Sequence, residues 1–198
     1  MRLLMIKDDL ERIPVFDVPP GYCMRWYQPG DEESWLRIHL LADREAKITP
    51  DLFTRTFGAD PAVLAARQCY LLDQQAEPIG TATAWFDDHF EGPGFGRVHY
   101  VAMVPEYQGR GLSKPLMTVI CRRLHEFGHQ RAYLATSNSR PAAIQLYRQF
   151  GFRPWIRTNE EAATWREAWP GGPVQLADAP PSHKGAGPVL NSECEDRC

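Results

Sequence analysis

The 198-residue sequence has no apolar run approaching the roughly 18 residues that a membrane-spanning helix needs, which argues against a membrane-embedded chain. Its opening apolar stretch, Met1 to Ile6, meets Lys7-Asp8-Asp9 at once and is too short for a signal peptide. Basic charge is not in surplus. Lys+Arg total 22 against 25 Asp+Glu, a formal net charge of −3 with neutral histidines. That balance argues against a dedicated nucleic-acid binder. Cysteine is scarce and unpatterned: Cys23, Cys69, Cys121, Cys194 and Cys198 are odd in number and form no CxxC, so neither a disulfide framework nor a metal site is expected. Reduced thiols in the cytoplasm are the expectation, for the Cys194/Cys198 pair as for the others. No repeat at solenoid spacing is present.

What is present is an ordinary globular composition, 43% hydrophobic and 24% charged, over a length that suits one substantial domain. Residues 170–198 differ: five Pro and four Gly fall among them with little apolar periodicity, which predicts a disordered tail after a domain spanning 1–169. Strands are expected at Arg2–Ile6 and Tyr22–Tyr27. Asp31 then reads as the cap of a helix with Trp35, Ile38, Leu41 and Ala42 on one face. Thr49-Pro50 and Asp60-Pro61 each read as a helix start, and Gly58 as a stop. Cys69–Asp73 and Ile79–Phe86 flank a polar turn and should pair as a hairpin. Next come a loop over 87–96, a strand at Arg97–Val104, a helix at Ser113–Phe127 stopped by Gly128, and a strand at Arg131–Thr136. A helix at Pro141–Phe150 ended by Gly151, extended chain at Phe152–Ile156 and a last helix at Glu160–Trp169 complete the reading. Trp165 and Trp169 are expected to pack that last helix on the sheet, and Arg122, Arg123 and His125 to form a solvated helix face. The fold class is α+β, a mixed central sheet flanked by helices.

The most informative stretch is Val101-Ala102-Met103-Val104-Pro105-Glu106-Tyr107-Gln108-Gly109-Arg110-Gly111-Leu112-Ser113. A strand runs into a Gly/Arg loop and the loop opens a helix. Successive backbone N–H groups at a helix start form a phosphate site, and Gly109 and Gly111 let the backbone approach an anion without a Cβ in the way. Arg110 and Lys114 add formal charge. Lys114 is followed by Pro115, so the Walker A pattern fails, and no third glycine completes a dinucleotide fingerprint. A helix-start loop without a ligand is the plainer alternative for this piece taken alone.

Gln108-Gly-Arg-Gly-Leu-Ser113 resembles the [QR]xxGx[GA] signature of the GCN5-related N-acetyltransferases, with Ser113, small enough to fit and able to cap the helix, at the last position. A second landmark of that family, a helix ending in Tyr-x-x-x-Gly-Phe, is matched by Tyr147-Arg148-Gln149-Phe150-Gly151-Phe152. The resemblance covers roughly residues 22–156. It implies a domain that binds acetyl-CoA as acyl donor at a splay between the family's fourth and fifth strands, here Arg97–Val104 and Arg131–Thr136. Gln108, Gly109, Arg110, Gly111, Leu112 and Ser113 would hold the pyrophosphate, and the backbone of Val101, Ala102 and Met103 the pantetheine arm. Many relatives carry an Asn seven positions before the tyrosine. That position is Arg140 here, with Asn138 two residues earlier, and either is a candidate cofactor contact.

The resemblance further implies acetyl transfer to a primary amine of a small molecule or peptide by direct attack. Tyr147 is the candidate acid for the departing thiolate, with a plain core aromatic as the alternative. His99 is the candidate base, an imidazole expected near its ordinary pKa, against an interior hydrogen-bonded histidine. The glutamate that some relatives place on the fifth strand is absent from Leu134-Ala135-Thr136-Ser137. Asp87, Asp88 and Glu91 form an acidic cluster that would attract a cationic amine or else remain a solvated loop. A homodimer is possible, and no membrane partner is expected. The rival readings are a non-catalytic acyl-CoA-binding sensor or interaction module on the same fold, and a nucleotide phosphate binder.

Overall fold

The computed structural model describes residues 1–42, 47–86, 90 and 94–176. In chain order the elements are β1 (Arg2–Lys7), β2 (Cys23–Trp26), α1 (Asp31–Ala42), α2 (Leu52–Phe57), α3 (Pro61–Arg67), β3 (Gln68–Leu72), β4 (Pro78–Phe86) and β5 (Phe95–Met103). A 3-10 turn at Pro105–Tyr107 precedes α4 (Ser113–Glu126), β6 (Arg131–Ser137), α5 (Pro141–Gln149), β7 (Arg153–Trp155) and α6 (Asn159–Ala168). The strands form one sheet in the order β2-β3-β4-β5-β6-β1-β7. Every neighbouring pair is antiparallel except β5–β6, so the sheet is mixed, as the sequence predicts.

The β3–β4 hairpin forms where the polar turn predicts it. Asp73 closes it by accepting hydrogen bonds from the backbone N–H groups of Gln75 and Glu77, both at 3.0 Å. The α3 start also follows its sequence signal: Asp60 accepts from Ala62 N at 2.9 Å and Val63 N at 3.3 Å, with Pro61 at the first turn. At α2 the first helical residue is Leu52, so Thr49-Pro50 precedes the helix and does not open it.

Two expectations about α1 need correction. Asp31 does not cap the helix ahead of it. Its buried carboxylate turns back to receive Arg25 through both guanidinium nitrogens, at 2.6 and 2.8 Å, and the Gln28 N–H at 2.7 Å. This bidentate pair ties α1 to β2. The buried face of α1 is Asp31, Trp35, Ile38 and His39; Leu41, expected inside, is 44% exposed.

The helix α4 buries Leu116, Met117, Ile120, Cys121 and Leu124 on one side, an i, i+3/i+4 stripe laid against β3, β4 and β5. Arg123, expected in solvent, is instead half-buried over the Trp26 ring at 4.0 Å and pairs with Glu126 at 3.4 Å, while Arg122 and His125 are exposed. Trp165 is 1% exposed and anchors α6 in the core, with Trp169 beneath the Arg148 guanidinium at 3.6 Å. Cys69 and Cys121 are buried, and desolvation pushes both thiols up to about 12, which leaves them unreactive. Among the described residues no helix is long and apolar enough to cross a membrane, and no group of three or more His, Cys, Asp or Glu side chains is placed to hold a metal ion.

Candidate active site

The strands β5 and β6 pair only at their beginnings, through Phe95↔Arg131, Gly96↔Ala132 and Arg97↔Tyr133. Beyond Arg97 they diverge, because β6 stays in full register with β1 from Ala132 to Ser137 while β5 stays with β4. One edge of β5 is therefore open beside the second half of β6. Val104 N–H donates to Ile79 O at 2.9 Å, and Ala102 lies opposite Thr81. In an antiparallel pair such inward groups alternate, so the backbone of Ala102 faces β4 while Val101 and Met103 present theirs to the open edge. Of the three residues expected to line it, two offer backbone groups there.

A bulge interrupts β5 at this point. Thr81 pairs with Ala102 but Thr83 with His99, so Tyr100 and Val101 together oppose the single Ala82. Tyr100 takes a φ of +47°, a left-handed conformation that costs a non-glycine residue about 1–2 kcal/mol. The bulge directs His99 and Tyr100, though adjacent, to the same side of the sheet. Tyr100 meets Trp35 (5.0 Å between centroids), His39 (5.2 Å) and Phe57 (5.6 Å), and His99 meets Phe57 (5.7 Å) and Tyr100 (4.3 Å). Desolvation, reinforced by the charges of Arg97 and Arg2 and by His39, holds the His99 imidazole well below its ordinary pKa. His99 is thus neutral in the working range, and the expectation of an unperturbed imidazole does not hold.

His39 is the residue that sequence reading missed. It is 5% exposed, and burial with the charge of Arg140 pushes its pKa down to about 3. Its Nε2 is buried and has no hydrogen-bond partner among the described residues. The signal was its position, i+4 from Trp35 on the inward stripe of α1. The opposite face of the same helix carries an open depression of about 510 Å³ lined by Glu33, Leu36, Arg37, Leu40 and Leu41, outside this site.

At the other end of β5 the 108–113 loop is built on two left-handed glycines, Gly109 (φ +74°) and Gly111 (φ +77°), and a Cβ on either would project into open space. Packing therefore does not require glycine there; the backbone turn does. Gln108 is fixed by its Nε2, which donates to Met103 O at 2.8 Å. Tyr107 donates its hydroxyl to Asp73 at 2.7 Å and lies under the Arg110 guanidinium at 5.0 Å, while Lys114 Nζ sits 5.2 Å from the Phe16 ring centroid. Ser113 is the first residue of α4 and not its cap: Leu112 occupies the cap position and no side chain caps the helix. In the first turn Lys114 N–H donates to Gly111 O at 3.0 Å and Pro115 has no N–H, so the amides that face an anion are those of the loop and of Ser113, at the positive end of the helix. Open space, left-handed glycines, an uncapped helix and two nearby cations fit a pyrophosphate.

The helix α5 carries Tyr147, and the spacing of its motif has a structural cause. Phe152 N–H donates to Tyr147 O at 3.1 Å and Gly151 N–H to Arg148 O at 2.9 Å, with Gly151 at φ +81°. These bonds and the Tyr147–Phe152 ring contact at 6.2 Å make a Schellman C-cap in which the tyrosine, glycine and phenylalanine occupy fixed places. Tyr147 is 7% exposed, and burial pushes its phenol up to about 12 although the charge of Arg140 opposes this. Arg140 precedes α5 as its N-cap residue, with an electrostatic influence on both Tyr147 and His39. Asn138 accepts from the Met1 amine at 2.9 Å. Asp87, Asp88 and Glu91 lie outside the described residues.

A splayed pair of strands, a bulge at its mouth, a glycine loop leading to an uncapped helix and a capped tyrosine helix are the features of an acetyltransferase-type α+β fold. The sequence profile of the Acetyltransferase (GNAT) family matches residues 23–152, and the chain belongs to that family. It is 29% identical over 170 residues to the mycothiol acetyltransferase of Pseudarthrobacter chlorophenolicus, a match covering 78% of this chain and 49% of that one. The chain spans about half the length of the curated relatives it matches. Among solved structures it is similar to a GCN5-related N-acetyltransferase from Sphaerobacter thermophilus, with TM-score 0.64, 19% identity, and coverage of 77% of this chain and 48% of the other. It is also similar to the ribosomal-protein-S18-alanine N-acetyltransferase of Escherichia coli, with TM-score 0.55, 18% identity, and coverage of 70% and 86%. At these identities the structural matches establish the fold.

Proposed function

We propose that this domain is an acyl-CoA-dependent N-acetyltransferase that moves an acetyl group from acetyl-CoA to a primary amine of a small molecule or peptide. The observation that carries the reading is the open edge of β5, with the 108–113 loop at one end and His99 and the bulge at the other; Tyr147 would stand beside it. The loop amides and Arg110 would hold the pyrophosphate, and Val101 and Met103 would pair with the pantetheine amides.

Bound acetyl-CoA supplies an activated carbonyl as its thioester. The amine nitrogen forms a bond to that carbon, and the carbon–sulfur bond breaks. His99, held neutral, accepts a hydrogen bond from the amine N–H and orients it; burial and the charges of Arg97 and Arg2 oppose its imidazolium, so the proton lost on bond formation leaves to solvent. Tyr147, protonated up to about pH 12 because it is buried, supplies a proton to the departing sulfur and regains one from solvent, which balances the proton lost by the amine. The cations around His99 also disfavour the ammonium form of an incoming amine, so nitrogen enters as the nucleophile.

The test is release of free thiol from acetyl-CoA on addition of a panel of amines and peptides. Amine-dependent thiol release with a matching N-acetyl product upholds the reading. Tight acetyl-CoA binding with no product from any amine would favour the non-catalytic acyl-CoA-binding module.

A further inference from the structure

The charged groups around the bulge share one sign. Along the first half of β5 side chains alternate between faces: a Cβ at Gly96 would come within 2.6 Å of Leu124 on α4, so Arg97 and His99 lie on the opposite face, toward α1 and α2. Arg97 stands over Tyr133, 5.7 Å from its centroid, at the last paired position before the strands part. Its Nε is buried with no hydrogen-bond partner among the described residues. Arg2 sits two strands away, opposite Ser137, and its charge reaches His99. Two further orphaned polar atoms on this face are Trp35 Nε1 and His39 Nε2, both on buried α1 side chains beside Tyr100.

The groups that act electrostatically on His99 are Arg97, His39 and Arg2, and Arg140 acts on His39; no carboxylate among the described residues joins them. This cationic cluster is not placed to meet the pyrophosphate. Arg97 precedes Met103 by six strand positions, roughly 20 Å at the usual rise, and the 108–113 loop lies beyond Met103. The rings of Trp35, Phe57, Trp85 and Tyr100 pack edge to face beside it.

Resting on the acyl-transfer reading above, we propose that the acceptor is an amine that also carries a carboxylate, an amino-acid-type substrate whose carboxylate is received by half-buried Arg97 and whose apolar side chain meets the half-buried rings of Trp85 and Tyr100. The unmet hydrogen-bonding capacity of Arg97 Nε is then satisfied by the substrate. Asp87, Asp88 and Glu91 make the opposite prediction, a polycationic acceptor, and the two are separable.

The experiment compares phenylalanine, phenylalaninamide, phenethylamine and spermidine as acceptors, after calorimetry of acetyl-CoA on the same preparation. The expected result is a kcat/KM for phenylalanine on the order of 10- to 100-fold above the amide and the decarboxylated amine, the range for a charge-assisted hydrogen bond. Arg97→Gln should raise KM for the acid and narrow the acid-to-amide ratio, and Arg97→Lys should restore much of it. Equal or faster turnover of phenethylamine or spermidine overturns the proposal while leaving acyl transfer intact. Failure of acetyl-CoA to bind the folded protein overturns the acyl-transfer reading itself, and this inference with it. If none of the four turns over, titration of N-acetylphenylalanine and N-acetylphenethylamine into the CoA complex decides. Tighter binding of the acid upholds the proposal, and equal binding overturns it.

Discussion

The two ends of β5 are built by different means. At its C-terminal end the 108–113 loop presents backbone: two left-handed glycines, an uncapped helix start, and side chains that mostly support the loop. At the bulge, side chains from α1, α2 and β5 converge into a buried aromatic cluster holding two imidazoles that burial keeps neutral. A common ligand fragment such as a phosphate can be received by backbone geometry. A particular acceptor has to be met by side chains, and the cost of burying them is visible in their lowered pKa values.

Substitutions that separate the two ends sharpen this contrast. The largest effect is expected at Tyr147→Phe: kcat should fall on the order of 100-fold while acetyl-CoA affinity stays near that of the parent. Steady-state kinetics paired with calorimetry measure both, and a joint loss would make Tyr147 a packing residue. Next, Gly109→Ala places a Cβ at φ +74° without meeting another atom, so only the backbone turn is affected. Acetyl-CoA affinity should fall about tenfold, the equivalent of roughly 1–2 kcal/mol of left-handed strain, with the acid-to-amide preference of the acceptor site preserved.

The third prediction concerns pH. Unfolded His39 titrates near 6.5 and folded His39 at about 3. Between those values the unfolded chain binds a proton that the folded one refuses, so stability is full above pH 6.5 and falls as pH drops, by about 1.4 kcal/mol per unit for this group. His99 acts in the same direction. Urea melts from pH 7 to 4 should show the loss, and His39→Leu should reduce the slope; an unchanged slope would place His39 in contact with solvent. The smallest effect is expected for Gly151→Ala, where φ +81° and Lys7 Nζ only 3.3 Å from the new Cβ should lower stability by about 1 kcal/mol, a Tm shift of roughly 2–4 °C. Because Tyr147 is part of the same cap, kcat should decline slightly too.

How far the sequence could be read follows the same division. The glycine loop, the tyrosine helix and the β3–β4 hairpin depend on local backbone requirements, so residue type and spacing reveal them. The Tyr-x-x-x-Gly-Phe spacing is a Schellman cap written in sequence. The neighbours of β1 were not legible, since pairing with β6 and β7 joins segments more than a hundred residues apart. Nor was the exchange of Leu41 for His39 on the inner face of α1: the helical period allows either, and burial of a histidine beside Trp35 depends on the Tyr100 ring brought to it by the bulge. Asp31 has the residue type of a cap, yet Arg25, from another element, takes it for an ion pair. The pKa of His99 was likewise set by tertiary burial first, and then by Arg97, His39 and Arg2, three groups from three elements.

The central claim is that acetyl-CoA lies along the open edge of β5 with its pyrophosphate on the 108–113 loop, and calorimetric titration of acetyl-CoA into the parent and a Gly111→Asp variant tests it directly. The variant adds a carboxylate and a strained φ at the phosphate site and, with no atom within 4 Å of its Cβ, leaves the core untouched. Micromolar binding by the parent and its loss, on the order of 100-fold or more, in a variant that still folds is the predicted result. Equal binding by both proteins, or none by a folded parent, would contradict it.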